Sequence, residues 1–444
     1  MSVYIRICLA AILVAVIVAP AASDGPTPSK TPWAVLRCTP HGEASTTAPV
    51  PSSYANNREQ YFKDLFTVAG KGRGGIYDYF GQLSGNIDLL AGTTVYPWVE
   101  LAEDISVVSQ WGWVTAAQPC LDESVSAGVV NPDDLRNPEK TYGLIVIMNT
   151  FGGQQGASAV EMTISGQKRT LPLAGFTKAT LSPNSVAHEM GHGYGLAHGE
   201  CTSDPSVEYC DRWDVMGGWG GDPAQFVNPS FNAWVKNYSG GNNPGPGVWV
   251  NLGWSGPGIN APHLAYLGWI PSAKTCVLGA GACEFVTTGL EVTLAALGHA
   301  ETPGVFQVGI PSNIAPLGGY TVEFRRASTC ASPSIDPCWD QATPDSVQIH
   351  SGWAPTGQSR TLIVDDRGGP LWAPGQMFSD GSVQISIETF NLAANTATIK
   401  VRWGSALVLP PPGPIVRGPR ACELAGGTWV CGEPLIGHRC GCQF

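Results

Sequence analysis

Charge is scarce in this chain. Only 13% of its 444 residues are Asp, Glu, Lys or Arg, about half the usual share for a globular protein. Basic residues are the fewer, 24 against 35 acidic, for a net charge of −11. Phosphate binding wants clustered Lys and Arg, so no nucleic-acid partner is expected. Long apolar runs are scarce too. The one at Ile7 to Val18 follows Arg6 and precedes Ala19-Pro20-Ala21-Ala22. A short positive region, an apolar core and small residues read as a secretory signal peptide over 1–22. The run is short for a membrane span. No later stretch approaches it without polar interruption. The mature protein is therefore expected to be secreted and extracellular, with no membrane partner.

Glycine (55) and proline (36) are abundant, which points to many turns and irregular loops. Hydrophobic residues make up 43%, enough for real cores, and the length suits two or three domains. Of 13 cysteines, Cys8 falls in the signal segment. The remaining twelve can all pair, as an oxidising compartment allows. Local candidates are Cys201 with Cys210, Cys276 with Cys283, and Cys330 with Cys338. Cys38 with Cys120 is a candidate longer link, and Cys422, Cys431, Cys440 and Cys442 would supply two more.

Histidine is rare as well, eight in all, yet three fall within residues 188–198, His-Glu-Met-Gly-His-Gly-Tyr-Gly-Leu-Ala-His. On a helix, His188 and His192 leave the same face one turn apart. Two neutral imidazoles at that spacing can hold one zinc ion from one side. Glu189 sits beside the first ligand, where it can act on a water without ligating the metal. Gly195 lets the helix stop sharply and His198 swing back as third ligand. Three protein ligands leave one position open, the catalytic rather than the structural arrangement. A core-packing reading would bury three histidines and a glutamate in one short helix, at the cost of desolvating all of them. His41, His263, His299, His350 and His438 stand alone and read as surface or hydrogen-bonded residues.

Taken in order, Trp33 to Cys38 reads as a first strand, 54–67 as a helix and 76–83 as a second short helix. Residues 87–101 read as strand material interrupted at Ala91-Gly92, and 105–117 as a candidate helix. The unbroken apolar run 142–148 suits a strand buried on both faces. Residues 159–165 and 168–173 flank Gly166-Gln167, a hairpin signal, and one of these strands could pair with an extended peptide. Ser182-Pro183 then caps the motif helix. Residues 217–258 read as loops pinned by tryptophans, and 261–270 as a helix ending near Gly268. From 271, strand-like runs recur at 291–297, 305–310, 319–325, 346–350, 360–365, 382–389 and 396–403, the pattern of a β-sandwich. Residues 404–420 form a proline-rich linker, and 421–444 a disulfide-rich module.

The motif at 188–198, followed by Met216 in Trp213-Asp214-Val215-Met216-Gly217, resembles the metzincin zinc peptidases. Tyr77-Asp78-Tyr79-Phe80 with Ser84-Gly85, Asp214 to Gly217, and Leu267-Gly268-Trp269-Ile270 look most like the gametolysin-like and immune-inhibitor-A-like secreted peptidases. The resemblance covers about residues 33–403. It implies an α/β (α+β) catalytic domain at 33–270, with a mixed twisted sheet and a zinc-site helix, and a β-rich domain at 271–403. It implies one catalytic zinc ion on His188, His192 and His198, Glu189 as general base, and Met216 in a turn beneath the metal. The activity implied is endopeptidase cleavage of extracellular protein or peptide substrates. Some members place a tyrosine two residues after the methionine; here that position is Gly218. Many carry a long propeptide; here about ten residues separate the signal from the first strand. Cys38 is read as a disulfide cysteine rather than a switch thiol.

For calcium, the Asp365-Asp366 pair is the only suggestion, and a solvated turn is the expected reading. Asn237-Tyr238-Ser239 is a glycosylation sequon. Two other functions compete with the peptidase: a non-catalytic secreted binding or adhesion protein that keeps the zinc fold, and a hydrolase of cell-wall amide bonds. Glu189 speaks against the first, because a purely structural zinc site would not need it.

Overall fold

The structure is a computed structural model. It describes residues 30–44, 57–71, 75–150, 154–177, 181, 183–203, 209, 211, 213–217, 258–278, 283, 289–312, 314–326, 345–352, 360–364, 371–403, 428–431 and 440–443. The signal segment, the sequon, the Asp365-Asp366 pair and the tryptophan-bearing loops lie outside the described residues, as do Cys210, Cys330, Cys338 and Cys422. Among the described residues no helix is long and apolar enough to cross a membrane.

The fold is mixed α/β. Its first sheet contains β1 (Trp33–His41), β2 (Thr94–Asp104), β3 (Gly143–Met148), β4 (Gln154–Ile164) and β5 (Gln167–Thr177). The spatial order is β2-β1-β3-β5-β4, parallel throughout except that β4 runs antiparallel to β5. Strand β3 is buried along its whole length, as its apolar run requires. Alternation along β1 and β3 divides their side chains between two cores. Trp33, Val35, Ile145 and Ile147 face one, and Ala34, Leu36, Leu144 and Val146 face the other. The first core also holds α1 (Arg58–Phe66), α2 (Ile76–Leu83) and the motif helix; the second holds α4 (Trp113–Ser126). Cys38 and Cys120 form a disulfide that ties β1 to α4, so the Cys38 thiol is not free to act as a switch.

Three local expectations shift. The hairpin turns on Ser165-Gly166, one residue earlier than expected. Both residues have positive φ, 48° and 79°, which matches the twist of the strands it joins. The segment 105–117 is two helices, α3 (Ile105–Val108) and the longer α4, with Gly112 as the cap of the second. Strand β2 begins only at Thr94, after a series of turns. Pro97 is tolerated there because β2 is an edge strand.

The motif helix α6 (Pro183–Gly193) follows β5, after α5 (Pro132–Arg136) earlier in the chain. The next strand, β6 (Gly199–Cys201), leaves the first sheet altogether. It pairs in parallel with β12 (Thr361–Ile363) at the edge of a six-stranded sheet. The other strands of that sheet are β7 (Thr275–Val277), β9 (Gln307–Pro311), β10 (Gly319–Arg325) and β11 (Ser346–Ser351). A four-stranded sheet contains β8 (Leu290–Ala295), β13 (Met377–Ser379), β14 (Val383–Asn391) and β15 (Thr396–Trp403). One apolar cluster, with Val308, Val322, Phe324, Ile349, Ile385 and Ile399, draws on both sheets. Position 270, the boundary expected from the sequence, thus has shared structure on both sides. A second link is the first core, which takes Leu264 and Tyr266 from α7 (Ala261–Tyr266) and also Ala295, Leu297 and Phe306 from beyond position 270. The short hairpin β16 (Thr428–Cys431) and β17 (Cys440–Gln443) sets Cys431 opposite Cys440.

The other face of the six-stranded sheet is polar and buried. Thr321, Glu323 and Arg325 alternate along β10, opposite His350, Gln348 and Ser346 of β11. Arg325 Nε donates to Glu323 at 2.8 Å, and its Nη2 donates to the Ile259 carbonyl at 3.2 Å. Glu323 also accepts the Ala261 backbone N–H at the start of α7. His350 Nε2 donates to Asp211 at 3.0 Å. Burial opposes both charges of that pair. The mutual hydrogen bond and attraction nevertheless prevail, so the His350 imidazole lies above its ordinary value and the Asp211 carboxyl below its own.

Two outcomes follow for stability. Replacing Cys38 and Cys120 together by Ala should lower stability by about 2–4 kcal/mol in urea unfolding, since the cross-link closes a long loop. For the Asp211–His350 pair, the raised histidine stabilises fully below about pH 6.5, its ordinary pKa, and loses that contribution as pH rises through its folded value. The lowered aspartate stabilises fully above about pH 4 and loses it as pH falls through its folded value. The pair should thus contribute most between about pH 4 and 6.5. His350→Gln should flatten the alkaline decline in melting temperature; an unchanged slope would show that the pair does not cause it.

Candidate metal centre

Helix α6 packs on the β4–β5 hairpin, and one glycine sets how closely. A Cβ at Gly156 of β4 would lie 2.2 Å from the Glu189 carbonyl oxygen and 2.7 Å from His192 Cβ. Only a bare Cα lets the strand come down onto the helix at the motif itself. The helix ends as the sequence implies. Gly195 takes φ +91°. Its N–H donates to the His192 carbonyl at 2.9 Å, and Leu196 N–H donates to the Gly191 carbonyl at 3.0 Å. This paired arrangement is the Schellman stop, and it turns the chain back towards the helix.

The turn brings His198 to its two partners. One ring nitrogen each from His188, His192 and His198 lie within 4.8 Å of one another. His192 Nε2 and His198 Nε2 are 3.0 Å apart. His188 Nδ1 is 2.8 Å from the Val215 carbonyl oxygen, and His192 Nδ1 is 2.8 Å from that of Leu196. A carbonyl oxygen can only accept, so each Nδ1 carries the proton and each Nε2 keeps its lone pair. Burial pushes the His188 imidazole down to about 4, with the His198 charge adding to the effect and the Val215 hydrogen bond opposing it. Burial, followed by the His192 charge, pushes His198 down to about 3. Neutral imidazoles are what a metal ion requires.

The donor set fits zinc. Imidazole nitrogens bind at about 2.0–2.1 Å in tetrahedral geometry, which puts two such nitrogens about 3.3 Å apart. The His192–His198 separation is close to that edge. Each helical histidine also has its second nitrogen fixed by a backbone carbonyl, the arrangement that orients metal-binding imidazoles.

Glu189 is buried at 4% exposure, and Met216 is fully buried. A Cβ on Gly191, inside the motif, would lie 2.4 Å from Met216 Sδ, so the methionine packs directly against the helix that carries the histidines. The structure thus brings His188, His192 and His198 together, with Met216 behind them. Gly195 stands at the helix stop and Glu189 within the same buried turn. His41 and His299 stand apart, each beside a glutamate, Glu100 and Glu301 respectively.

Some neighbours of the site were missed in the sequence. The Tyr209 ring lies 4.2 Å from that of His198 and 5.9 Å from that of His188, centroid to centroid. Its φ of +65° is uncommon for a tyrosine. It precedes Met216, whereas the resemblance directed attention to position 218. The Val215 carbonyl, a backbone group, leaves no side-chain signal at all. Cys201, just past the third histidine, is disulfide-bonded.

No protein-family model matches the chain, and a search of curated proteins finds no significant relative.

The two close glycines should respond differently to a methyl group. At Gly156 the obstacle is backbone, which cannot move aside. At Gly191 it is the end of a flexible methionine. Gly156→Ala should cost about 1–3 kcal/mol as overpacking, and Gly191→Ala less. Denaturant unfolding of the two variants checks this; equal losses would contradict the packing described.

Proposed function

We propose that the protein is a secreted zinc-dependent endopeptidase of metzincin type. The observation that carries this reading is the convergence of three imidazoles, with both helical Nδ1 atoms held by backbone carbonyls. His188, His192 and His198 would hold the ion. Bound there, zinc would acidify a water molecule and polarise the scissile carbonyl. Glu189 would take the proton from the attacking water and pass it to the leaving amine. Its burial, directly after His188 on the same helix, supports that role by setting the carboxylate beside the three imidazoles rather than in solvent.

The substrate is proposed to be an extended peptide. Strand β4 is the edge of the first sheet and touches the motif helix at Gly156. A peptide added to that edge by main-chain hydrogen bonds would lie beside the motif. Apart from the disulfides, an extracellular setting rests on the signal segment read in the sequence.

The test pairs metal content with cleavage. The full chain should contain one zinc per molecule and cut members of a diverse peptide library, and a chelator should stop the cutting. Glu189→Gln should keep its zinc and lose turnover by at least about 100-fold, while His192→Ala should lose the zinc. Zinc without cleavage in the native chain would favour the binding or adhesion reading. Unchanged proteolysis by Glu189→Gln would refute the general-base assignment.

A further inference from the structure

Asp211 and residues 213–217 belong to a buried loop beside the three histidines, and the loop holds one of them and the neighbour of another. Through the Val215 carbonyl it fixes the His188 ring. Through Gly199, whose N–H donates to Met216 O at 3.0 Å and whose carbonyl accepts from Asp211 N at 3.3 Å, it holds the residue next to His198. The loop's two aspartates, Asp211 and Asp214, are fully buried. Each caps the loop from inside: Asp211 Oδ1 accepts from Trp213 N at 3.1 Å and Asp214 Oδ1 from Met216 N at 3.0 Å. Each then uses its second oxygen on a fully buried histidine from outside the loop. Asp214 Oδ2 meets His263 Nδ1 at 2.5 Å, and Asp211 Oδ2 meets His350 Nε2 at 3.0 Å. Asn260 joins the second pair, donating to Asp211 Oδ2 at 3.2 Å and to Thr361 Oγ1 at 3.0 Å.

We propose that His263 and His350 are positioning residues for the three-histidine site, so that the β-rich half, through His350, is a working part of that site. Four buried polar groups would be costly if they served only to fill space, because each charge must be compensated away from water. Here they occupy two distinct places. His263 comes from α7 and His350 from β11, and they hold the same loop at Asp214 and Asp211 respectively. The loop in turn sets the tautomer of His188 and the placement of His198. The Val215 carbonyl is the direct partner of His188, a kind of contact whose loss typically changes metal affinity by about 10–100-fold; His263 and His350 hold that partner's loop from one step further out.

The metal-affinity side of this proposal rests on the zinc reading above; the tautomer side does not. The experiment therefore has two arms on the full chain. Variants are His263→Leu and His350→Leu, with His263→Asn and His350→Gln as conservative versions that return a donor near Nδ1 and Nε2 respectively. Val322→Ala, in the apolar cluster between the two β-rich sheets, serves as a control for general destabilisation.

In metal-free protein carrying nitrogen-15 histidine, the His188 ring should show a fixed Nδ1–H tautomer. Both Leu variants should lose it, the Asn and Gln variants should restore it, and Val322→Ala should keep it. In the second arm, chelator competition should show zinc binding weakened at least tenfold by each Leu substitution and recovered by the conservative ones. A His188 tautomer unchanged in both Leu variants would overturn the proposal. So would an equal loss in Val322→Ala, which would reduce the effect to destabilisation. A native chain that binds no zinc but shows the tautomer pattern would sink the peptidase reading and leave the positioning role standing.

Discussion

The hydrogen bond from His188 Nδ1 to the Val215 carbonyl is the contact on which the rest of the site depends. It joins the motif helix to the loop that follows it in the chain. It decides which nitrogen of His188 carries a proton, and so which one offers a lone pair. Val215 is itself held by its N–H to the Gly258 carbonyl at 2.8 Å, and its neighbours by the two aspartates. The geometry of the three imidazoles is therefore a property of the loop as much as of the helix. Met216 supports the same junction from below, against Gly191.

That dependence explains why the two halves of the chain are built into each other. The loop meets the polar face of the six-stranded sheet at His350, and it is hydrogen-bonded to Gly199 of β6, a strand of that sheet. Glu323 and Arg325 secure the start of α7, His350 secures Asp211, and α7 supplies His263. Separating the halves would expose this ionised seam and release the loop. A buried polar interface is weak as a source of stability, and in some proteins it serves to fix one arrangement. Here that arrangement includes the loop that bonds His188 and the residue after His198.

Much of the first half was legible in the sequence. The spacing of His188, His192 and His198 with Gly195 encodes a helix and its stop, and both are present. The run 142–148 is a buried strand because no polar residue interrupts it. Cys38 and Cys120, and Cys276 and Cys283, pair as the candidates suggested. Less was legible where tertiary context decides. Alternating polar residues such as Thr321, Glu323 and Arg325 ordinarily mean a solvent face; here the first half of the chain covers them. His263 and His350 looked solitary because their aspartates are 49 and 139 residues away. Tyr209 had no motif to mark it, and a backbone carbonyl such as that of Val215 has no letter in the sequence. The turn at Ser165-Gly166 slipped by one residue because serine accepted a positive φ that the pattern had reserved for glycine.

The central claim is that three imidazoles of this chain hold one zinc ion and leave a coordination position open. Zinc K-edge X-ray absorption of the purified full chain tests it most directly. The account predicts about one zinc per chain with three nitrogen neighbours of imidazole type at about 2.0–2.1 Å and one further light atom. A chain that carries no zinc, or a shell dominated by sulfur or by six oxygens, would contradict it.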